Sequence, residues 1–212
     1  MENQISDLID GGLIREIELL NQMKTTHIIA IDPAERDYGT GWIMLDIQSK
    51  VITRRAIKNF IKALEALENL HAYALENNLH ILWVVENSNL QDAVFFKKGY
   101  ELKIKAIERA KKRTFNNHEK HALMLNFAQD TGKNMAVSQH ICEYLQSIGC
   151  KVVQISPKAK GRPFTEAEAK LDARTSKWTL PEKLSGDELA ALKLLSLVYR
   201  RLDKFQGGEV LK

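Results

Sequence analysis

Several features that would each settle the class of a protein are missing from this chain. Only two cysteines occur in 212 residues, Cys142 and Cys150. They fall near the two ends of one expected helix and have no metal-ligand neighbour at C-x-x-C spacing, which argues against a disulfide framework and for two reduced thiols. No run of about 18 apolar residues exists, so no membrane-spanning helix is expected. The start, Met1 to Asp10, is acidic and polar, without the basic flank and apolar stretch of a secretory leader. These absences point to a cytoplasmic protein. His118 and His121 share helical spacing, but no third soft ligand lies nearby and no zinc site is expected. The chain also lacks internal repeats and low-complexity tracts.

What remains is an ordinary globular composition, 44% hydrophobic and 27% charged, long enough for one domain with a sizeable insertion. The charge is unevenly spread. Nine Lys and Arg stand against three acids between Lys97 and His121, a local excess of six positive charges in a chain whose net charge is +4. The bland reading of such a run is a solvated helix face; the sharper one is a polyanion-binding surface.

Residues 1–24 read as a helical extension, with Leu13, Ile14, Ile17, Leu20 and Met23 at helical spacing. His27–Asp32 reads as a buried strand that ends on an acid. Gly39–Ile47 and Lys50–Ile57 follow as two strands of a hairpin, then a helix over Asn59–Asn77. Leu79–Glu86 is too continuously apolar for an exposed edge and is expected as a central strand, again ending on an acid. The basic segment predicts one helix over 100–113 and a second over 119–129, interrupted at Gly132-Lys133-Asn134. A helix over 137–149 and a fifth strand over 151–156 come next, closed by Pro157. Lys158–Lys183 is polar and weakly helical, and Ser185-Gly186-Asp187 starts a last helix. The expected architecture is therefore α/β: a mixed five-stranded sheet, its first three strands antiparallel, flanked by helices. Residues 25–205 form the domain, with 97–121 as a basic helical insertion and 206–212 as a tail.

Three carboxylates fall where such a sheet would bring them to one end. Asp32 ends the first strand, Glu86 ends the fourth, and Asp187 begins the last helix. Phosphodiester hydrolysis needs an activated water and a stabilised leaving oxygen, and hard oxygen ligands clustered around divalent cations supply both. Rigid strand ends suit that task, because the crevice beyond them is open. Two of the acids also have plainer readings: Asp187 could be a helix N-cap or first-turn acid, and Glu86 could mark a strand's emergence into solvent. Asp32 is harder to dismiss, because it ends an apolar run just before Pro33 and a stiff turn fixes its position.

The run IIAIDPAERDYGTGW resembles, without a gap, the first motif of the RuvC-type Holliday junction resolvases, an apolar strand followed by D-P-G-x-R-x-x-G-x-G. Asp32, Pro33, Arg36, Gly39 and Gly41 fall on its positions, and Ala34 stands where that family has Gly. LWVVEN is similar to the second motif and places the catalytic Glu at Glu86. The last motif, D-x-x-D-A-L in those enzymes, reads DELAAL here, so Ala190 replaces the second acid. That form looks like the YqgF-type branch of the same fold. Glu188 is no simple substitute, since one helical step turns a side chain by roughly 100°.

The resemblance, spanning about Ile28 to Leu197, implies a ribonuclease H-like fold. It also implies Mg²⁺-dependent cleavage of branched DNA, with Mn²⁺ able to substitute. Asp32, Glu86 and Asp187 would be catalytic and metal-binding. Lys103, Lys105, Lys111, Lys112 and Arg113 are the expected phosphate contacts in the insertion, and Lys158 and Lys160 the candidates beside the scissile phosphate. Phe95, Phe96 and Tyr100 read as packing residues or, alternatively, as a wedge against bases. A homodimer through the helix after the Glu86 strand, within 119–148, is implied by the same family. Two rivals stay open: a nucleic-acid binder with a degenerate site, supported by Ala190, and an actin-like ATPase fold, for which a second Gly-rich phosphate loop is missing.

Overall fold

The computed structural model describes residues 25–33, 40–90 and 93–206. The expected N-terminal helix (1–24), Arg36 and Gly39 of the first motif, the side chains of Phe95 and Phe96, and the tail after Gln206 lie outside the described residues. Five strands form one mixed sheet: β1 (His27–Asp32), β2 (Thr40–Asp46), β3 (Ile52–Ile57), β4 (Ile81–Glu86) and β5 (Val152–Ile155), in the order β3-β2-β1-β4-β5. β1–β2 and β2–β3 pair antiparallel, while β1–β4 and β4–β5 pair parallel. The expected mixed sheet with an antiparallel first half is thus present. Strands β1, β3, β4 and β5 all run the same way, so their carboxyl ends share one rim.

Both faces of the sheet are covered, which is why β1 and β4 read as nearly continuous apolar runs. Ile28, Ala30, Leu82, Val84, Val153 and Ile155 point to one face, packed under helix α6 (Gly186–Gln206) through Ala191, Leu192, Leu195 and Val198. Ile29, Ile31, Trp83 and Val85 point to the other. There they meet α1 (Phe60–Glu76) through Ala63 and Leu67, and the end of α3 (Asn117–Ser147) through Val137, Ile141 and Leu145. Burying each such Leu or Ile side chain contributes about 1.5–3 kcal/mol. Cys142 and Cys150 are both free and buried here, and burial pushes both thiols up to about 12.

Helix α1 is capped at its start by Asn59, whose side chain accepts from the Lys62 amide, and ends at Asn77. Beyond β5 the polar stretch contains two helices, α4 (Pro157–Lys160) and α5 (Glu166–Ser176). Pro157 does not merely close β5. It occupies the first turn of α4, where its missing N–H costs nothing, behind the Ser156 cap.

The basic segment differs most from expectation. α2 (Ala93–Lys111) leads through a tight turn into α3, which is one unbroken helix of 31 residues. Gly132 does not interrupt it. A lone helical Gly costs only about 1 kcal/mol, and packing on both sides of it holds the helix straight. Before it, Tyr100 donates to Thr131 at 2.7 Å and its ring lies 5.8 Å from Phe127; after it, Val137 and Ile141 are fixed against the sheet. Tyr100 is therefore a packing residue of the α2–α3 seam. The far turn is firmly built, with an Asn116–Glu119 capping box, Phe115 buried, and Arg113 paired twice with Glu119 at 2.6 and 3.1 Å. The part of α3 before Val137 projects as an arm of roughly 28 Å at ~1.5 Å per residue.

A Cβ at Gly132 would meet nothing within 4 Å. Gly132→Ala should therefore raise stability by about 0.5–1 kcal/mol in urea unfolding. A destabilised variant would show that the glycine serves a contact of its own.

Candidate active site

Alternation along β1 and β4 decides where the two strand-end acids point. Ala30 and Asp32 share a face, as do Val84 and Glu86, and it is the face covered by α6. Because β1 and β4 are parallel neighbours, the two carboxylates meet beyond the ends of their strands. Neither emerges into solvent: the Asp32 side chain is 15% exposed and that of Glu86 13%.

Asp187 arrives from above. It is not the cap of α6. Ser185 takes that role, its hydroxyl accepting from the Glu188 amide at 3.3 Å, while the Glu188 carboxylate accepts from the Ser185 amide at 2.7 Å. The reciprocal pair leaves Asp187 without a capping duty, in the first turn and turned toward Asp32. Gly41, paired with Asp32 across β1–β2, makes the approach possible. A Cβ there would lie 2.9 Å from Asp187 Cβ and 3.0 Å from its carbonyl carbon, so any larger residue must push Asp187 away. Glu188 is 2% exposed and holds Arg54 of β3 with both oxygens, at 3.0 and 3.2 Å. It is spent on the cap and the arginine, and does not replace the missing second acid at Ala190, which is buried in the helix interface.

The centre of the cluster is Lys160. Its ammonium donates to Asp32 Oδ1 at 2.8 Å and contacts Glu86 Oε2, and the side chain is 7% exposed. Lys160, a candidate partner of the scissile phosphate from the sequence, is buried inside the acid cluster, while Lys158 is exposed on the same short helix. Burial works against the ammonium, but Asp32 and Glu86 outweigh it, and its pKa stands above the ordinary lysine value. One positive charge does not balance the site. Burial first, and then the Asp32 charge, push Glu86 up to about 7. Burial and the charges of Asp32 and Glu188 raise Asp187 as well.

Among the described residues, no three His, Cys, Asp or Glu side chains stand placed together as a metal group; the Lys160 ammonium lies between Asp32 and Glu86. The chemistry of the donors nonetheless suits a hard cation. Burial first, and then the Asp32 charge, raise both Glu86 and Asp187, and added positive charge would favour their ionised forms.

Directly after Glu86, Asn87 is 2% exposed and organises a polar network. It donates to Gln154 of β5 at 2.7 Å and to Gln139 of α3 at 3.3 Å, and accepts from the Asn89 amide at 2.9 Å. The Ser88 amide donates to Ser138. This network fixes the end of β4 to the base of the projecting arm. Sequence reasoning missed it, as it missed the Lys160 ion pairs and the Arg54–Glu188 pair. The signal for Lys160 was available: it follows a parallel strand end, the same position that singled out the acids.

Helix α2 and the turn after it, which pack along the projecting part of α3, carry the expected basic residues. Lys103, Lys105, Lys111 and Lys112 are exposed, with Lys103 lying over the Phe127 ring and Lys111 over Phe115. Arg113 is partly committed to Glu119 and is 52% exposed. No family model matches the chain, and no curated protein matches it.

The raised Glu86 pKa has a definite sign in stability. Between about pH 4.5 and about 7 the folded protein keeps a proton on Glu86 that the unfolded chain releases. Its contribution is therefore fully present below that window and is lost as pH rises through it. Without divalent cations, Glu86→Gln should flatten the fall in unfolding free energy across this range relative to the parent. Equal slopes in the two proteins would mean that Glu86 is ionised throughout.

Proposed function

We propose that the protein is a divalent-metal-dependent endonuclease of the ribonuclease H-like class that cleaves branched DNA, four-way junctions above all. The observation that carries this reading is the meeting of Asp32, Glu86 and Asp187 at one rim of the sheet, reached from three separate elements. The strand order, three antiparallel strands followed by two helix-linked parallel ones, supports the fold assignment. The basic arm rooted beside Glu86 supports a polyanionic substrate.

Asp32, Glu86 and Asp187 would hold Mg²⁺, with Mn²⁺ able to substitute. Such a cation activates water and stabilises the charge on a leaving phosphate oxygen. The chain's own residues do the rest. Gly41 lets Asp187 close on Asp32, Asn87 fixes the end of β4, and the strand backbones keep the carboxylates from relaxing apart. Lys160 keeps a positive charge at the place where phosphate must enter, and its amino protons can serve a phosphate oxygen once the carboxylates have another counter-charge. The expected phosphate contacts on the arm are Lys103, Lys105, Lys111, Lys112 and Arg113, with Lys158 at the rim. Two cuts at a symmetric junction call for two copies of the site, and we take the active form to be a homodimer joined through α3. The rival binder with a silent site finds one favourable observation, the ammonium lodged between Asp32 and Glu86, and a cleavage assay separates the two.

With purified protein and Mg²⁺ or Mn²⁺, four-way junction DNA should be cut, and Asp32→Asn, Glu86→Gln and Asp187→Asn should each lower the rate by on the order of 100-fold or more. The three variants should keep a cooperative thermal transition. Full activity in the Asp32→Asn protein would sink the assignment, and a parent protein that binds the junction without cutting it would favour the silent site.

Changing Lys111, Lys112 and Arg113 together to Ala should weaken binding to all sequences alike. The plot of log K against log salt should flatten by about 2–3, at ~0.9 per phosphate contact on duplex arms. An unchanged slope with unchanged stability would mean that the arm's charge is only solvated.

A further inference from the structure

The basic arm leaves the sheet from β4. On the opposite flank the chain carries a second set of cations that the arm does not account for. β3 runs parallel to β1, so its carboxyl end reaches the same rim as Asp32: Ala56 pairs with Gly41, which pairs with Asp32. Arg54 and Arg55 precede Ala56, and Lys58 and Lys62 continue the charge across the turn into the first residues of α1. Arg55, Lys58 and Lys62 are exposed. Arg54 is 43% exposed and is anchored by Glu188, the residue after Asp187.

Beside these residues an open groove runs along the α1 side of β3. Its half nearer the rim, about 340 Å³, is lined by Arg55, Ile57, Lys62, Glu65, Ala66 and Asn69. The other half, about 310 Å³, shares Arg55, Ala66 and Asn69 and adds Trp42, Met44 and Tyr73. The Arg55 guanidinium lies 5.9 Å from the centre of the Trp42 ring, and the residue is exposed. Glu65 stands beside Lys62 and Arg55 in the rim half, while the other half takes both Arg54 and Arg55 and no acid, so each half carries an excess of positive charge.

We infer that this β3–α1 flank is a second nucleic-acid contact surface, gripping the substrate backbone on the side of the site away from the arm. The inference rests on the nuclease reading and adds where the substrate must lie: across the rim of the sheet, from α2–α3 over the acids to β3. Two strand spacings of ~4.8 Å place β3 about 10 Å from β1. At ~3.4 Å of rise per nucleotide, that is roughly three base steps from the phosphate at the acids. Arg54 orients toward the site, and Arg55, Lys58 and Lys62 take the phosphates beyond it. A second copy pairing through the same edge is disfavoured, since it would set Arg54 and Arg55 against their own like charges.

The test is binding of labelled four-way junction by full-length protein in EDTA, by fluorescence anisotropy over a range of salt. It compares the parent, the triple variant Arg55→Ala/Lys58→Ala/Lys62→Ala and the arm variant at Lys111, Lys112 and Arg113. Arg54 is left in place because Glu188 depends on it. The flank variant should flatten the salt slope by about 2–3, keep its melting temperature, and lose affinity additively with the arm variant. Arg55→Lys alone should keep most of the slope. A flank variant with the parent's slope overturns this inference, and if the arm variant still loses slope the nuclease reading survives it. A parent that binds no nucleic acid overturns both. Binding of an oligoglutamate peptide that the flank variant abolishes, with DNA affinity intact, would give the edge to a protein partner and overturn the inference too.

Discussion

The site depends on one ammonium shared by two largely buried carboxylates. Lys160 can serve both Asp32 and Glu86 only because β1 and β4 are adjacent and parallel, which brings their last residues side by side, and because β5 returns on the far side of β4 and delivers α4 to the same rim. A single inversion in that strand order would send one of the three to the opposite end of the sheet. The interaction is also unbalanced: one cation faces a pair of acids, with Asp187 close enough to feel Asp32. Removing one partner from a buried ion pair leaves an uncompensated charge, commonly at a cost of about 3–5 kcal/mol. Burial first, and then the Asp32 charge, raise Glu86 toward neutrality, while Asp32 and Glu86 keep the Lys160 ammonium charged against its burial.

The same scaffold explains why so much of the fold was legible in the sequence. β1 and β4 are buried on both faces and end on acids, so an apolar run that stops at a carboxylate marks both the strand and the direction of its open end. Glycine carried information at Gly41 and misled at Gly132. At Gly41 the absent side chain is a requirement, because the backbone of α6 lies against it. At Gly132 nothing touches the residue, and the contacts that keep the helix continuous come from Tyr100, some thirty residues earlier. A local reading has no access to those contacts.

The ion pairs of Lys160 and the roles of Asn87 and Arg54 were harder to read in the sequence for a related reason. Each acts through a partner distant in the chain, and each is of a type that abounds on surfaces. A lysine after a strand end reads as exposed until the topology shows two carboxylates waiting for it. Arg54 reads as one more charge on an edge strand until Glu188 is seen to hold it.

Asp187 and Glu188 show how neighbouring acids divide their work. Both are in the first turn of α6, where the helix dipole favours negative charge. The Ser185 capping box draws Glu188 back toward the helix start and toward Arg54. The same turn then aims Asp187 about 100° away, over Gly41 and into the cluster. Ala190, in the next turn, is buried and brings no carboxylate. Among the described residues, the acids around Lys160 are Asp32 and Glu86, with Asp187 beside Asp32. On the proposed nuclease reading, holding phosphate would fall largely to the chain's own cations, Lys160 at the centre and basic groups on either side.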